Sequence, residues 1–257
     1  MRSEYPTVAI VREVSPSIGD CELSFLEREP IDYERAVAQH RAYVDALASL
    51  GLKVVVLPAE PHLPDAVFVE DTAVVVPERA VVAFPGAASR RPEVVTIAET
   101  LARYRPVSYI SGGGTLDGGD VMHFGKTLYA GRTARTNDEG ADELASILAP
   151  HGYRVVRTTA DGCLHYMSGA SNLGRDTVLV NPAWVVPSEV DGAQFIEIDP
   201  SEPWAANTVA VGDTVLMSAA FPRTIERVRD AGFDVRELDI SEFQKAEGGL
   251  SCLSILL

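Results

Sequence analysis

The stretch DGGDVMHFGKTLYAGRTARTNDEGADELASILAPHGYRVVRT, residues 117–158, holds one complete structural unit. Val121–Phe124 and Thr127–Ala130 are short β-rich runs that flank Gly125-Lys126, a hairpin signal. Asn137–Leu148 then reads as a helix, capped by Thr136 or Asn137 and followed by Gly152. Arg154–Thr158 ends the unit as a third strand. The order is strand, strand, helix, strand, and two carboxylates, Asp117 and Asp120, stand just ahead of it.

The closing strand of this unit recurs along the chain. Lys53–Leu57, Val107–Ile110, Phe195–Ile198 and Val235–Leu238 have the same character, at a spacing of roughly 40–55 residues that signals a repeat architecture. Helices precede several of them. Asp32 is a good N-cap for Tyr33–Leu50, with Gly51 just past its end, and Tyr43, Val44, Leu47 and Leu50 form its apolar face. Pro92–Tyr104 serves another unit, and Pro222–Asp230 begins with Pro and ends near Gly232. In the fourth unit the segment after Pro182 has a weaker helical pattern. Further hairpins are predicted at Ala73–Val76 with Ala80–Phe84, and at Thr208–Val211 with Thr214–Ser218.

The fifth unit runs out at Ser251–Leu257 and lacks a second strand unless Val8–Arg12, at the other end of the chain, supplies it. Such sharing would close the units into a ring and remove exposed sheet edges. The predicted fold is therefore α/β: a five-bladed, propeller-like assembly of pseudo-fivefold ββαβ repeats around a central channel, formed by residues 1–257 as a single domain. An open α/β sheet with irregular repeats is the alternative.

Composition bounds the function. The 22 Lys and Arg are outnumbered by 37 Asp and Glu, giving a net charge of −15. That argues against nucleic acid, whose affinity comes from neutralised phosphates, and is compatible with a cationic substrate or with simple solubility. No apolar run reaches the 18 residues of a membrane span, and the first residues lack a signal-peptide pattern. The three cysteines, Cys21, Cys163 and Cys252, lack CxxC spacing. We therefore expect neither a disulfide framework nor a zinc site, and a cytoplasmic setting.

If the units are equivalent, the residues that start each hairpin meet at the axis. They are Glu70-Asp71, Asp117 with Asp120, His165, Asn207 and Cys252. Several carboxylates, a histidine and a cysteine converging on one channel would form a site for a cation, since carboxylates buried there without partners would be costly. Cys252 follows Gly248-Gly249, where backbone can approach a ligand closely; a lone cysteine is also commonly a core residue. Cys163 is a rival nucleophile, two residues from His165 and on the same side of an extended segment. Arg90 and Arg135 each precede a helix, as solvated arginines or as a clamp for a carboxylate.

Taken together, LPDAVFVEDTAVV, GAASRRPE, LDGGDV, GRTARTNDEGA, LHYMSG, NPAWVV and SEFQKAEGGLSCLS, in this order, resemble the dimethylarginine dimethylaminohydrolase family. That family lies within the guanidino-modifying superfamily, whose pentein fold is a five-bladed α/β propeller. The resemblance implies Cys252 as nucleophile, His165 as general acid and base, and Asp117 as the residue that orients the imidazole. It implies Glu70 and Asp71 as the grip on the guanidinium, Asp65 at the substrate's amino end with Leu23 and Ala246, and Phe68 as an aromatic wall. Arg90 and Arg135 would hold the α-carboxylate, and Ser15–Pro30 would be a mobile lid. Glu247 departs from the Asp that some relatives carry before the double glycine.

The implied activity is hydrolysis of methylarginines to citrulline and a methylamine, without a cofactor or metal, in a monomer or homodimer whose only implied partner is a small guanidino substrate. Two enzyme alternatives are an arginine deiminase and an amidinotransferase. A third, of another class, is a non-catalytic methylarginine-binding propeller.

Overall fold

Asp32 starts the first helix as the sequence predicts: its side chain accepts a hydrogen bond from Arg35 N at 3.1 Å. The helix, Tyr33–Ser49, turns Ala36, Tyr43, Ala46 and Leu47 inward, and Gly51 ends it at a φ of +90° that suits glycine. This computed structural model describes residues 6–257.

The strands pair in the repeating pattern. β1 (Val8–Arg12) runs parallel to β2 (Lys53–Leu57), with Val8 opposite Lys53. In the second unit β3 (Ala73–Val76) and β4 (Arg79–Val82) form a hairpin, and β5 (Val107–Tyr109) lies parallel to β4. The third unit repeats this with β6 (Val121–Phe124), β7 (Thr127–Arg132) and β8 (Arg154–Thr159). The fourth has β9 (Ala170–Gly174), β10 (Thr177–Val180) and β11 (Gln194–Glu197). A fourth hairpin, β12 (Val209–Val211) and β13 (Thr214–Ser218), is joined by parallel β14 (Asp234–Leu238). Finally β15 (Ile255–Leu256) returns to β1, antiparallel, with Ala9 opposite Leu256.

The result is five separate three-stranded sheets, each one antiparallel pair and one parallel pair. The chain ends share a sheet, as the missing fifth strand required. A cavity of about 740 Å³ is lined from the first strand of every unit: Val74 and Val76, Met122 and His123, Asn172, Val209 and Leu256. It is the predicted central channel. The apolar cores lie between neighbouring units. One joins Val74 and Val81 to Leu116, Leu128 and Leu144, which are almost fully buried. Each such side chain contributes roughly 1.5–3 kcal/mol by leaving water.

Two predicted elements differ. Pro92–Tyr104 is not a single helix: Ala88–Glu93 forms a tighter 3-10 segment and only Val94–Leu101 is α-helical. Pro92 has no N–H to donate, and the tighter turn accommodates it. After Pro182 a single 3-10 turn, Pro187–Glu189, replaces the helix of the fourth unit. The hairpin of that unit carries no glycine at its central turn positions. Arg175 and Asp176 adopt φ of +52° and +55° there, a twist-matched turn usually marked by Asn-Gly.

Candidate active site

One turn of helix precedes the first strand in four of the units: Val69–Thr72, Gly118–Asp120, Tyr166–Gly169 and Ser251–Leu253. These turns carry Glu70 and Asp71 and Cys252, with Asp117 and His165 immediately ahead of theirs. The repeat thus delivers residues far apart in sequence to one end of the channel. There Asp65, Phe68, Asp71, Arg90, Arg135, His165, Ala246 and Cys252 line a second, closed pocket of about 20 Å³, together with Glu22 and Glu247. That volume holds about one water. Any larger ligand needs the segment above it to open.

His165 is the centre of charge. Its Nε2 is 3.0 Å from Asp117 Oδ2, and its Nδ1 is 3.5 Å from Asp71 Oδ1. Burial alone would strip its proton, but Asp71, Asp120 and Asp117 overcome this and raise its pKa to about 9. The ring is therefore an imidazolium at neutral pH. Asp117 is fixed in turn by Gly86 N, 2.9 Å from its Oδ1. Asp71 resists burial because His165 and Arg90 hold its pKa below the ordinary carboxylate value.

The double glycine after Asp117 has a steric cause. A Cβ on Gly119 would stand 2.5 Å from Asp71 Oδ1 and 3.0 Å from His165 Nδ1. Gly249 has a matching role beside the thiol, since a Cβ there would lie 2.2 Å from Asn207 Oδ1.

Cys252 is buried, with Gly249 N at 3.4 Å and Asn207 Nδ2 at 3.9 Å from its sulfur. Burial pushes its thiol pKa up, and Glu70 and Asp71 push it further. The resting thiol is neutral. Glu70 stands behind Cys252 and is not part of the pocket lining. Its Oε2 accepts from Ser251 Oγ at 2.7 Å, and Asn207 Nδ2 reaches the same hydroxyl at 2.9 Å. The Glu70 carboxyl is raised to about 8 by withdrawal from water and by Asp71, although the residue as a whole is only partly buried and meets the channel.

The other thiols lie elsewhere. Cys163 sits in an apolar cluster with Tyr166 and Val178, its sulfur 3.3 Å from His165 O, and does not line the pocket. The inference that it shares a side with the imidazole fails because a turn intervenes before the helix at Tyr166. Cys21, which reads as part of a polar loop, is buried against the first helix. His40 is buried and His123 is half-buried in the channel wall, and desolvation lowers the pKa of each to about 4.

The two arginines differ. Arg90 is saturated: Nη1 meets Asp71 at 2.5 Å, Nη2 meets Glu93 at 2.9 Å and Phe68 O at 3.0 Å, and Nε also reaches Glu93. Its donors hold the pocket wall, which limits what the predicted clamp can draw from it. Arg135 Nη1 is buried and, among the described residues, has no hydrogen-bond partner; Asp117 Oδ2 stands 3.9 Å away. Sequence alone does not show Glu93, because a carboxylate within a helical turn reads as solvated.

From the segment Ser15–Pro30, Glu22 lines the pocket. Glu22 N donates to both Asp65 oxygens, at 3.1 and 3.3 Å, and Glu22, not the Leu23 side chain, forms the wall. Leu23 packs instead against the core beside the first helix. Asp71, Asp117 and His165 place three potential ligand atoms within 4.8 Å of one another. The imidazolium already bridges both carboxylates, so a cation there would have to displace its protons.

A fold of five sheets around a channel is shared with solved structures of the N-terminal domain of an arginine dihydrolase, ArgZ, at 19% identity and a TM-score of 0.81. That likeness carries the architecture alone. Similarity to a dimethylarginine dimethylaminohydrolase structure from Pseudomonas aeruginosa, a cysteine-to-serine variant complexed with citrulline, is much greater: TM-score 0.94 and 35% identity, covering 98% of this chain and 100% of that one. The family model for N,N dimethylarginine dimethylhydrolase, eukaryotic, matches residues 20–182. The N(G),N(G)-dimethylarginine dimethylaminohydrolase of Pseudomonas aeruginosa is 38% identical over 226 residues, 87% of this chain and 89% of that protein. The enzyme of that name from Streptomyces coelicolor is 38% identical over 251 residues, covering 97% and 96%. This chain belongs to the dimethylarginine dimethylaminohydrolase family. No helix among the described residues is long and apolar enough to cross a membrane.

Proposed function

We propose that this protein hydrolyses Nω-methylated arginines, asymmetric dimethylarginine and monomethylarginine, to citrulline and dimethylamine or monomethylamine. The observation that carries this reading is the convergence of a buried thiol, a doubly clamped imidazolium and a guanidinium with a donor, Arg135 Nη1, left without a hydrogen bond on one closed pocket. Homologues of about the same length that bear the methylarginine hydrolase name, and a family structure holding citrulline, support it.

The substrate's α-carboxylate binds the unpartnered Nη1 of Arg135, supplemented by what Arg90 has left. Asp65 takes the amino end beside Ala246 and Glu22, and Phe68 packs along the chain. At the other end the guanidinium meets Asp71, with Glu70 behind. Its positive charge stabilises a thiolate, so the neutral resting thiol of Cys252 releases its proton to solvent as substrate binds, while His165 keeps the proton it already carries.

The Cys252 sulfur attacks the central guanidinium carbon, and a tetrahedral adduct forms. Collapse breaks the bond to the methylated nitrogen, which takes a proton from His165 and leaves as the amine. Cys252 then carries a thiouronium. His165, now neutral, accepts a proton from water as that water attacks the same carbon. Breaking the carbon–sulfur bond releases citrulline and restores the thiol. Asp117 holds the ring at Nε2 through both transfers while Nδ1, freed as Asp71 turns to the guanidinium, gives and takes the proton, the role of the acid in other nucleophile–His–acid sets.

Product analysis tests this. Purified protein is incubated separately with arginine, monomethylarginine and asymmetric dimethylarginine, and citrulline and the released amine are quantified. Citrulline with methylamine or dimethylamine, and little from arginine, is the expected result. Citrulline and ammonia chiefly from arginine would make it a deiminase.

A further inference from the structure

Cys252 must lose a proton as a cation binds, and the pocket gives that proton no exit. The pocket holds about one water, which an incoming guanidinium displaces. His165 is already an imidazolium, with Nε2 on Asp117 and Nδ1 facing Asp71. Asp71 acts on the thiol, but Arg90 holds one of its oxygens at 2.5 Å and Gly119 N holds the other at 3.2 Å, and its pKa lies below the ordinary value. Neither group is a good acceptor for the thiol proton.

Glu70 differs from both. Its carboxylate meets the Cys252 thiol and the Ser251 hydroxyl, whose Oγ is 2.7 Å from Oε2. Asn207 Nδ2 reaches the same hydroxyl at 2.9 Å and lies 3.9 Å from the sulfur, so one amide holds both groups in place. On the far side Glu70 and Ser251 line the channel of about 740 Å³, which has room for many waters. The other ionisable side chains of the channel wall are Arg105 and His123, while Asp71 and His165 act on Glu70 from the pocket side. Among the described residues, Glu70 is thus the ionisable group that borders both the thiol and the channel. Its carboxyl, raised to about 8 by burial and by Asp71, exchanges a proton at little cost near neutral pH.

We propose that Glu70 is the proton acceptor for Cys252 and discharges into the channel, so substrate enters at one side of Cys252 and the thiol proton leaves at the other. A carboxyl that is protonated at rest discharges first, as the guanidinium arrives. The S–H bond then breaks, its proton forms an O–H bond on the Glu70 carboxylate, and the electron pair stays on sulfur for the attack on the guanidinium carbon. Channel water takes the proton on, which restores the carboxylate. The reverse transfer returns a proton to the thiolate when the carbon–sulfur bond breaks. His165 is left free to serve the departing amine and the attacking water. This inference rests on the methylarginine reading and adds a catalytic residue to it.

Two variants and two readouts test this. Thiouronium formation is followed by rapid acid quench in single turnovers with monomethylarginine, and alkylation of Cys252 by a small amidinium reagent is followed in parallel. E70Q keeps the shape but cannot take a proton. It should slow both reactions by about 100-fold or more, while KM for monomethylarginine changes only a few-fold. E70A should be as slow, and a small carboxylate entering from the channel should restore its rate. Acetate, the stronger base, should restore more than formate, and chloride at the same ionic strength should restore nothing, as proton transfer requires. Circular dichroism melts check folding, and the rescue decides the question where E70Q is unstable. Unchanged rates in E70Q, a loss confined to KM, or no carboxylate rescue of E70A would overturn the inference while leaving the methylarginine reading intact. A wild type that releases no amine would remove that reading, and the alkylation rates would still decide whether Glu70 serves the thiol.

Discussion

Asp117 Oδ2 and His165 Nε2 are 3.0 Å apart, and both are buried. With Asp71 and Asp120, Asp117 explains how an imidazole in a desolvated pocket keeps a proton at pH 7. The pair also makes the alkaline limb of the rate profile a direct report on Asp117. His165 must carry a proton to release the amine, so activity should fall as pH rises through about 9. Asp117→Asn keeps the shape and removes the charge. Its alkaline limb should move down by roughly one to two pH units, the equivalent of losing one hydrogen bond to a charged group. A limb that stays in place would show that Asp117 does not set the proton affinity of the ring.

The same pair links pH to stability. His165 binds its proton more tightly in the folded chain, at about 9, than its ordinary value of 6.5. Its contribution is complete below pH 6.5 and is lost as pH rises through 9. Glu70, raised from 4.5 to about 8, acts in the same direction over its own range. Calorimetric Tm should therefore decline from pH 6.5 to 9, and decline less in Asp117→Asn. A Tm that rises across this window would contradict the protonated ring.

Cys252 is held as a neutral thiol by burial and by Glu70 and Asp71. Only an incoming cation supplies the charge a thiolate needs. At pH 7 a neutral alkylating agent such as iodoacetamide should react slowly, and a small alkylating agent bearing an amidinium should react about 100-fold faster or more, the span of roughly two pKa units. Equal rates would show that the free enzyme already holds a thiolate. Cys252→Ser should abolish turnover while monomethylarginine still binds, as isothermal titration would detect.

Arg90 and Arg135 should separate by phenotype. Arg90 lies between the buried carboxylates of Asp71 and Glu93, so Arg90→Ala leaves both uncompensated and should destabilise the fold by about 3–5 kcal/mol. Arg135 meets only Asp117, at 3.9 Å and beyond hydrogen-bond reach, so Arg135→Ala should destabilise less than Arg90→Ala while raising KM by about 10–100-fold. Urea denaturation and steady-state kinetics measure the two effects. The reverse assignment, with Arg135 carrying stability and Arg90 only KM, would refute this division.

Much of this was legible in sequence, for physical reasons that can be named. Gly125 and Gly212 in the hairpins, the Asp32 cap and the Pro222 start are local signals, and the structure places each where the chain chemistry demands. The unpaired end of the fifth unit predicted the β1–β15 pairing, because a closed ring leaves no edge. The Arg175-Asp176 turn was not legible, since its backbone twist is imposed by the strands on residues that do not advertise it. Glu93 is only three residues from Arg90, but its burial comes from tertiary packing, and Ser251 and the lid amides on Glu247 depend on long-range approach; no local pattern encodes either. Leu23 shows the same limit: proximity to the lid is readable, but which of two neighbouring residues faces inward depends on packing against the first helix.

Gly119 gives the sharpest test of how tightly the charged cluster is assembled. Its N–H donates to Asp71 Oδ1 at 3.2 Å, so backbone and carboxylate are already in contact. An added methyl would stand 2.5 Å from that oxygen and 3.0 Å from His165 Nδ1, inside any relaxed contact distance. Asp71 cannot retreat easily, because its other oxygen is held by Arg90 at 2.5 Å. The imidazole must then move relative to Asp117 and Cys252. A misplacement near 1 Å costs on the order of 100-fold in rate, so Gly119→Ala should lower kcat about that much with little change in KM. Burial of the methyl is too small a gain to offset the displaced charges, and Tm should fall as well. Near-normal kcat in this variant would mean that the imidazole tolerates movement, and the clamped geometry would not be what sets the rate.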